Sequence, residues 1–301
     1  MEKTAALRFF EDIRGKQVTI CGIGINNPPV VKQFLAAGAK VTACDRRTRE
    51  QLGAIAEELE AAGATLCLGE DYLENLSGDL ILRTPGMKPY LPQFEAARER
   101  GIPVTSEMEL FFTLCPAPIY AVTGSDGKTT TTTIIARLLE RAGKRVWLGG
   151  NIGRALLPII HEVQPEDVAV VELSSFQLTN MTQSPHVAVV TNVSPNHLDW
   201  HTDMGEYIDA KRNLVAWQKP GDRAVLNADD DTTAAFAEGL SSSVSGFSRK
   251  SRPHTGAFLR EDGVLCAVEG ETVTPVIPAV DIRIPGVHNV ENYLAAIAAV
   301  W

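Results

Sequence analysis

Residues Thr123 to Thr130 read T-G-S-D-G-K-T-T and directly follow the apolar run Ile119-Tyr120-Ala121-Val122. Strand, glycine-rich turn, Lys-Thr, helix: that order builds a cradle for polyphosphate. Gly124 and Gly127 free backbone N–H groups to point at phosphate oxygens, and the following helix adds its positive N-terminal end. Ser125, Asp126 and Thr130 complete the turn, Lys128 reaches the terminal phosphates, and the Thr129 hydroxyl sits on the accompanying magnesium. The spacing G-x-x-G-K-T is shorter than the usual G-x-x-x-x-G-K-T, but the chemistry it serves is the same. The chain is expected to bind ATP.

Further groups with chemistry lie downstream. Glu172 ends the apolar run Val168–Val171 and opens E-L-S-S-F-Q-L. A carboxylate at the end of a parallel strand, in the crevice beside a phosphate loop, is placed for a magnesium contact. A solvated neighbour of a helix N-cap reads equally well from spacing alone. His197, within N-V-S-P-N-H-L-D-W-H, suits either a metal or a local hydrogen bond. Lys211, in Y-I-D-A-K-R-N, reads in isolation as an exposed helix lysine.

A second glycine turn stands nearer the N-terminus, where Gly22-Ile23-Gly24-Ile25-Asn26-Asn27 follows the strand-like Gln17–Cys21. A dinucleotide site takes G-x-G-x-x-G with an acid about 20 residues on. Here Asn27 replaces the third glycine, two prolines follow, and Asp45 takes the acidic position. Arg46 and Arg47 beside it suit a uridine nucleotide as well as a nicotinamide one.

The elements needed to position these groups recur twice along the chain. Strands at Gln17–Cys21, Lys40–Ala43, Thr65–Leu68 and Leu80–Leu82 alternate with helices at Val30–Ala37, Glu50–Ala62 and Pro92–Arg100. That is the pattern of a parallel sheet with its ligand at the strands' C-terminal ends. Cys115-Pro116-Ala117-Pro118 forms a hinge, after which alternation restarts at the phosphate loop. Strands are expected at Arg145–Leu148, Val168–Val171, Val187–Thr191 and Ala224–Leu226, then a β-rich stretch at Ala257–Leu259 and Val264–Val268. The expected fold is α/β: a Rossmann-like domain over residues 1–114, then a P-loop, mononucleotide-binding α/β domain over 115–301. The apolar helix Asn289–Trp301 stops without a cap, which reads as a fragment of something longer.

Composition narrows the class. The chain has 301 residues, 45% of them hydrophobic and 22% charged, as in a globular protein with two real cores. A net charge of -9 argues against a nucleic-acid surface. No apolar run approaches a membrane span, and the N-terminus lacks a signal-peptide core. The five cysteines are scattered with no C-x-x-C pair, as suits reduced thiols of a cytoplasmic protein rather than a disulfide frame or zinc site.

Taken together, T-G-S-D-G-K-T-T, G-G-N-I-G (Gly149–Gly153), E-L-S-S-F-Q-L, N-V-S-P-N-H-L-D-W-H, Ala210-Lys211 and H-N-V-E-N (His288–Asn292) resemble the signature set of the Mur ligases. The resemblance runs from about residue 16 to the end. It implies an ATP-dependent amide ligase, acting through an acyl phosphate, that adds D-glutamate to UDP-N-acetylmuramoyl-L-alanine for peptidoglycan. It implies small-molecule partners, a monomer, and no nucleic acid or membrane. The family's third domain is not matched, so little or no activity is expected of this chain alone; the alternative is a non-enzymatic uridine-nucleotide-binding module.

Residue by residue, the resemblance gives Gly24, Ile25, Asn26 and Arg46 to the uridine, and Thr84, Pro85 and Gly86 to the substrate diphosphate. Asn151, Ser174 and Gln177 would touch the muramoyl-alanine part, and Asn289 and Asn292 would approach the adenine side. Thr129 and Glu172 would hold one magnesium, His197 and Lys211 a second. A lysine ammonium has no lone pair to offer a cation. In the family this lysine is carbamylated, which makes it an oxygen ligand suited to hard magnesium.

Overall fold

The computed structural model describes residues 4–24 and 27–301. The chain divides into two compact units, Met1–Pro116 with Arg154–Gln164, and Ala117–Gly153 with Pro165–Trp301. One short segment, Arg154–Gln164, thus returns to the first unit.

In the first unit, β1 (Gln17–Cys21), β2 (Lys40–Asp45), β3 (Thr65–Leu68), β4 (Leu80–Arg83) and β5 (Val104–Thr105) form one parallel sheet, ordered β3-β2-β1-β4-β5. This is the order of a Rossmann-type sheet, whose chain reverses direction across it between β1 and β4. Strands rich in Val, Ile and Cys are covered on both faces, so β1 is buried at every position after Gln17. Helix Asn27–Ala36 buries Val30, Val31 and Phe34. Phe34 in turn packs edge-on against Phe9 and Phe10 of helix Ala5–Asp12. The single helix expected at Glu50–Ala62 is two, Arg49–Leu52 and Ala54–Ala61, because Gly53 adopts φ +56° between them.

The returning segment Arg154–Gln164 is held by Gln33, whose Nε2 donates to Leu157 O at 2.7 Å, and by a carboxylate. Glu107 accepts hydrogen bonds from the N–H groups of Leu156 (3.1 Å) and Leu157 (2.8 Å), at the start of the 3₁₀ turn Leu157–Glu162. Leu156, Leu157 and Ile160 are buried. Burial raises the Glu107 carboxyl pKa, partly offset by those two N–H groups.

In the second unit, β6 (Ile119–Thr123), β7 (Val146–Gly150), β8 (Val168–Glu172), β9 (Val187–Val190), β10 (Arg223–Asn227), β11 (Ser243–Ser248) and β12 (Thr255–Leu259) are parallel neighbours. Two antiparallel strands, β13 (Val264–Glu269) and β14 (Thr272–Pro278), extend that sheet. The order is β14-β13-β12-β11-β10-β9-β6-β8-β7. From β6 the chain runs outward to β7 and β8 on one side, then crosses to β9 on the other. The loop after β6 therefore opens at the point of reversal, where such sheets bind ligands. Val122, Val170, Val189, Val225 and Phe247 from the sheet pack with Ile135 and Leu139 of helix Lys128–Arg141 and Leu294 of helix His288–Val300. Among the described residues no helix is long and apolar enough to cross a membrane.

Candidate nucleotide-binding site

The loop after β6 is tight because two of its positions accept only glycine. Gly124 has φ +150°, and a Cβ there would run into the Thr191 side chain. Gly127 is left-handed at φ +79° as the N-cap of helix Lys128–Arg141, and a Cβ there would strike the Asn292 carboxamide. The segment just after β9 clamps the loop. Ser125 N–H donates to Asn192 O and Asp126 N–H to Asn192 Oδ1, both at 2.9 Å. Thr191 Oγ1 donates to Asp126 O at 2.6 Å. The front amides of the loop thus already have acceptors, which narrows the cradle expected from the sequence. The first-turn amides of Lys128, Thr129 and Thr130 have no acceptor among the described residues, so the open donors lie at the helix N-terminus.

Two lysines converge on a single carbonyl of this loop. Lys128 Nζ donates to Gly124 O at 3.0 Å and to Ser125 O at 2.8 Å. Lys211 Nζ, from helix Met204–Ala216, donates to the same Gly124 O at 2.8 Å. Lys211 is 1% exposed, not the surface lysine its sequence context suggests, and its amine stands 4.5 Å from the Tyr207 ring centroid. Burial first, then the charge of Lys128, brings the Lys211 pKa down to about 7, against a smaller opposing pull from Asp126. Burial also lowers Lys128, opposed by Glu172 and Asp126. Tyr207 fixes the loop as well, with its hydroxyl 2.9 Å from Ser125 Oγ. The Asp126 side chain is exposed at the tip.

Glu172 faces the same helix end. Buried at the end of β8, it accepts from Thr129 Oγ1 on Oε2 (2.6 Å) and from Asn151 Nδ2 on Oε1 (2.8 Å). Asn151 N–H also donates to Glu172 O at 2.8 Å, so G-G-N-I-G and E-L-S-S-F-Q-L hold one another. Ser174 and Gln177 form a capping box on helix Ser175–Leu178, with Ser174 N–H donating to Gln177 Oε1 at 3.0 Å. The Glu172 carboxylate itself is turned to Thr129, not to that helix. Asn292 accepts from Thr131 Oγ1 at 3.2 Å and donates to Asn289 Oδ1 at 3.0 Å, while Asn289 donates to Pro285 O at 2.8 Å. Both asparagines are buried, and they support the loop from behind.

Among the described residues, no hydrogen bond links the His197 side chain to that cluster. This histidine is exposed, its backbone is left-handed at φ +54°, and its ring centroid is 4.9 Å from that of Phe176. Phe176 also packs on Trp200 and His201, and His201 on Tyr207. An aromatic row thus runs from His197 toward the Tyr207–Lys211 pair. His201, to which the sequence reading gave no role, is buried with Nε2 2.9 Å from Ser175 Oγ. Among the described residues no group of three or more His, Cys, Asp or Glu side chains could hold a metal ion.

In the first unit, the expected uridine-side residues gather at the C-terminal ends of β1, β2 and β4. Ile25 and Asn26 lie outside the described residues. Gly24 follows β1, Arg46 is exposed after β2, and Thr84, Pro85 and Gly86 follow β4 in a turn closed by Met87 N–H on Thr84 O at 3.0 Å. Asp45 is bonded within the protein. Its Oδ2 accepts from Ile23 N–H at 2.6 Å, and Arg47 Nε donates to its Oδ1 at 3.0 Å. Burial alone would raise the Asp45 carboxyl; the Arg47 guanidinium and the Arg47 and Ile23 N–H groups outweigh it and hold the pKa below the ordinary value.

Residues 122–300 match the family model of the Mur ligase middle domain. The chain is 52% identical over 293 residues to a UDP-N-acetylmuramoylalanine–D-glutamate ligase of Acetivibrio thermocellus, and 49% identical over 287 residues to its namesake from Symbiobacterium thermophilum. Those alignments cover 97% and 94% of this chain but 63% of each relative, so the chain spans less than two thirds of their length. A solved UDP-N-acetylmuramate:L-alanyl-gamma-D-glutamyl-meso-diaminopimelate ligase from Neisseria meningitides shares the fold at TM-score 0.62 and 22% identity, over 95% of this chain and 93% of that one. With more than half of its length matched by the middle-domain model, and with that domain's loop, strand-end glutamate and buried lysine drawn together, the chain belongs to the Mur ligase family.

Proposed function

We propose that this chain forms the part of a peptidoglycan-precursor ligase that holds ATP and the uridine-linked acceptor, for the addition of D-glutamate to UDP-N-acetylmuramoyl-L-alanine in the cytoplasm. The observation that carries this reading is the convergence of Lys128, Lys211, Thr129 and Glu172 on the loop 124–130. In the reaction, the muramoyl-alanine carboxylate attacks the γ-phosphate of ATP to give an acyl phosphate and ADP. The amine of D-glutamate then displaces phosphate, forming the amide.

Both partners of the first step are anions. Lys128 and the open amides of Lys128, Thr129 and Thr130 would counter that repulsion at the positive end of a 14-residue helix. Asn151, Ser174 and Gln177 line the strand end where the acceptor's muramoyl-alanine part is expected, and Arg46 with Thr84–Gly86 would take its uridine diphosphate. Asn289 and Asn292 would set the floor of the adenine side by holding Gly127 in place.

Thr129 and Glu172 present hard oxygens 2.6 Å apart, a donor set that fits magnesium. Lys211 fits such a role only as a carbamate, and its pKa of about 7 leaves a large neutral fraction of the amine to add to carbon dioxide. His197 would join it, a role that rests on the family resemblance. When bound, magnesium would neutralise developing charge on the phosphoryl group.

Calorimetry tests the reading. Magnesium ATP and the uridine-linked muramoyl-alanine nucleotide should each bind, and Lys128→Ala should weaken only the first. Binding of the uridine nucleotide with no ATP affinity would instead support a non-enzymatic binding module. Since the chain spans 63% of its relatives' length, ADP release dependent on D-glutamate is expected to be slight or nil.

A further inference from the structure

Three of the five cysteines, scattered in sequence, stand side by side in the first unit. In the parallel sheet Cys21 of β1 is the register partner of Cys44 of β2, and Cys44 is the register partner of Cys67 of β3. Register partners in a parallel sheet share one face, so all three thiols point into the same core, beside Leu73, Leu76 and Phe94. The neighbouring Cys21 thiol and burial push the Cys44 thiol pKa up. Cys21 and Cys44 are sealed, at 0% and 2% exposure, whereas Cys67 is half-buried with its thiol 3.7 Å from Tyr72 O. Neighbouring strands lie about 4.7–4.9 Å apart, inside the roughly 4.4–6.8 Å Cα separation that a disulfide spans.

We propose that this row is a redox modification site, in which Cys44 closes a reversible disulfide with Cys67 on exposure to a hydroperoxide-class oxidant. Cys67 is the point of entry because it alone of the three reaches the surface. Peroxide transfers an oxygen to the Cys67 sulfur, giving a sulfenic acid and one water. The Cys44 sulfur then attacks that sulfur, forming the S–S bond and releasing a second water. Two thiols lose two protons and two electrons in all, and the peroxide is reduced to water. Burial and the neighbouring Cys44 push the Cys67 thiol pKa up, so the first step is slow and the row stays reduced without sustained oxidant. Cys44 directly precedes Asp45, which anchors the Ile23 turn. An effect on uridine-nucleotide affinity would rest on the proposed function; formation of the bond does not.

Trypsin distinguishes the candidates, since Lys40, Arg46, Arg47 and Arg49 put Cys21, Cys44 and Cys67 on separate peptides. The folded chain would be treated with hydrogen peroxide, denatured in alkylating agent and digested without reductant. The expected result is loss of two of the five titratable thiols, a linked peptide pair carrying Cys44 and Cys67, and full recovery with dithiothreitol. Cys21→Ala should leave that pair intact and Cys44→Ala should eliminate it. Five free thiols after treatment, a Cys21–Cys44 pair alone, or Cys67 driven to sulfinic acid while Cys44 stays free would each overturn the proposal. The unsubstituted chain decides the matter even if a variant fails to fold.

Discussion

Both units contain a glycine turn between a parallel strand and a helix, yet the two turns are chemically unlike. After β6, the helix opens with Lys128-Thr129-Thr130, whose N–H groups are available, and two lysines and a glutamate close around it. After β1, the helix opens with Asn27-Pro28-Pro29. Two prolines in the first turn have no N–H to offer an anion. The acid of that turn is also unavailable, because Asp45 is taken up by Ile23 N–H and Arg47. Pro28 and Pro29 would give a dinucleotide pyrophosphate no amide there, and the place proposed for the substrate diphosphate is the turn after β4. The same local topology thus supports two chemistries, decided by which residues carry the first-turn amides.

That contrast can be broken first at Lys128. Lys128→Ala should weaken ATP binding or turnover by about 10²–10³-fold, the scale of losing one charge-stabilising donor. Uridine-nucleotide affinity should be unchanged, and calorimetry with each ligand reads both. The second substitution is Gly127→Ala. It forces a side chain into a left-handed position against Asn292 and should cost about 2 kcal/mol in urea unfolding. Asp45→Asn probes the other turn. It weakens a buried, charge-assisted clamp and should cost roughly 1–3 kcal/mol, leaving ATP affinity intact. Arg46→Ala is expected to lower uridine-nucleotide affinity about tenfold, near 1.4 kcal/mol, with little change in stability.

Lys211 sharpens the comparison through pH. Its pKa of about 7 lies below the ordinary lysine value of 10.5. Below pH 7 the amine is charged in both folded and unfolded chains, and the cost of burying that charge is fully felt. Between 7 and 10.5 the unfolded chain still holds a proton that the folded one has released, so stability rises with pH across that window. The urea midpoint should climb from pH 7 to pH 9, and Lys211→Met should flatten the climb. A midpoint indifferent to pH in the unsubstituted chain would contradict the buried amine.

How much could be read in advance varies by feature. The phosphate loop was legible because strand, glycines, Lys-Thr and helix are contiguous, and their local geometry needs no distant partner. Most strands of both sheets were legible for the same reason, as apolar runs separated by helical periodicity; the polar β11 and proline-interrupted β14 were not. Lys211 was not: its surroundings in sequence are polar, and only the arrival of Gly124 O and the Tyr207 ring buries it. The capture of the Ser125 and Asp126 amides by Asn192 was equally hidden, since it joins loops that follow two different strands. The return of Arg154–Gln164 to the first unit rests on apolar burial and on Gln33 and Glu107, both distant in sequence.

The amino-acid order by itself determined where chain direction changes, which strands are apolar enough to be covered on both faces, and which loop can approach phosphate. These follow from backbone sterics and side-chain periodicity within a few residues. Tertiary structure alone decided that two lysines share one carbonyl, that Asp45 turns inward and that three distant cysteines align in register. Such outcomes depend on strand order and register, which are set by packing summed over the whole sheet and leave no local mark.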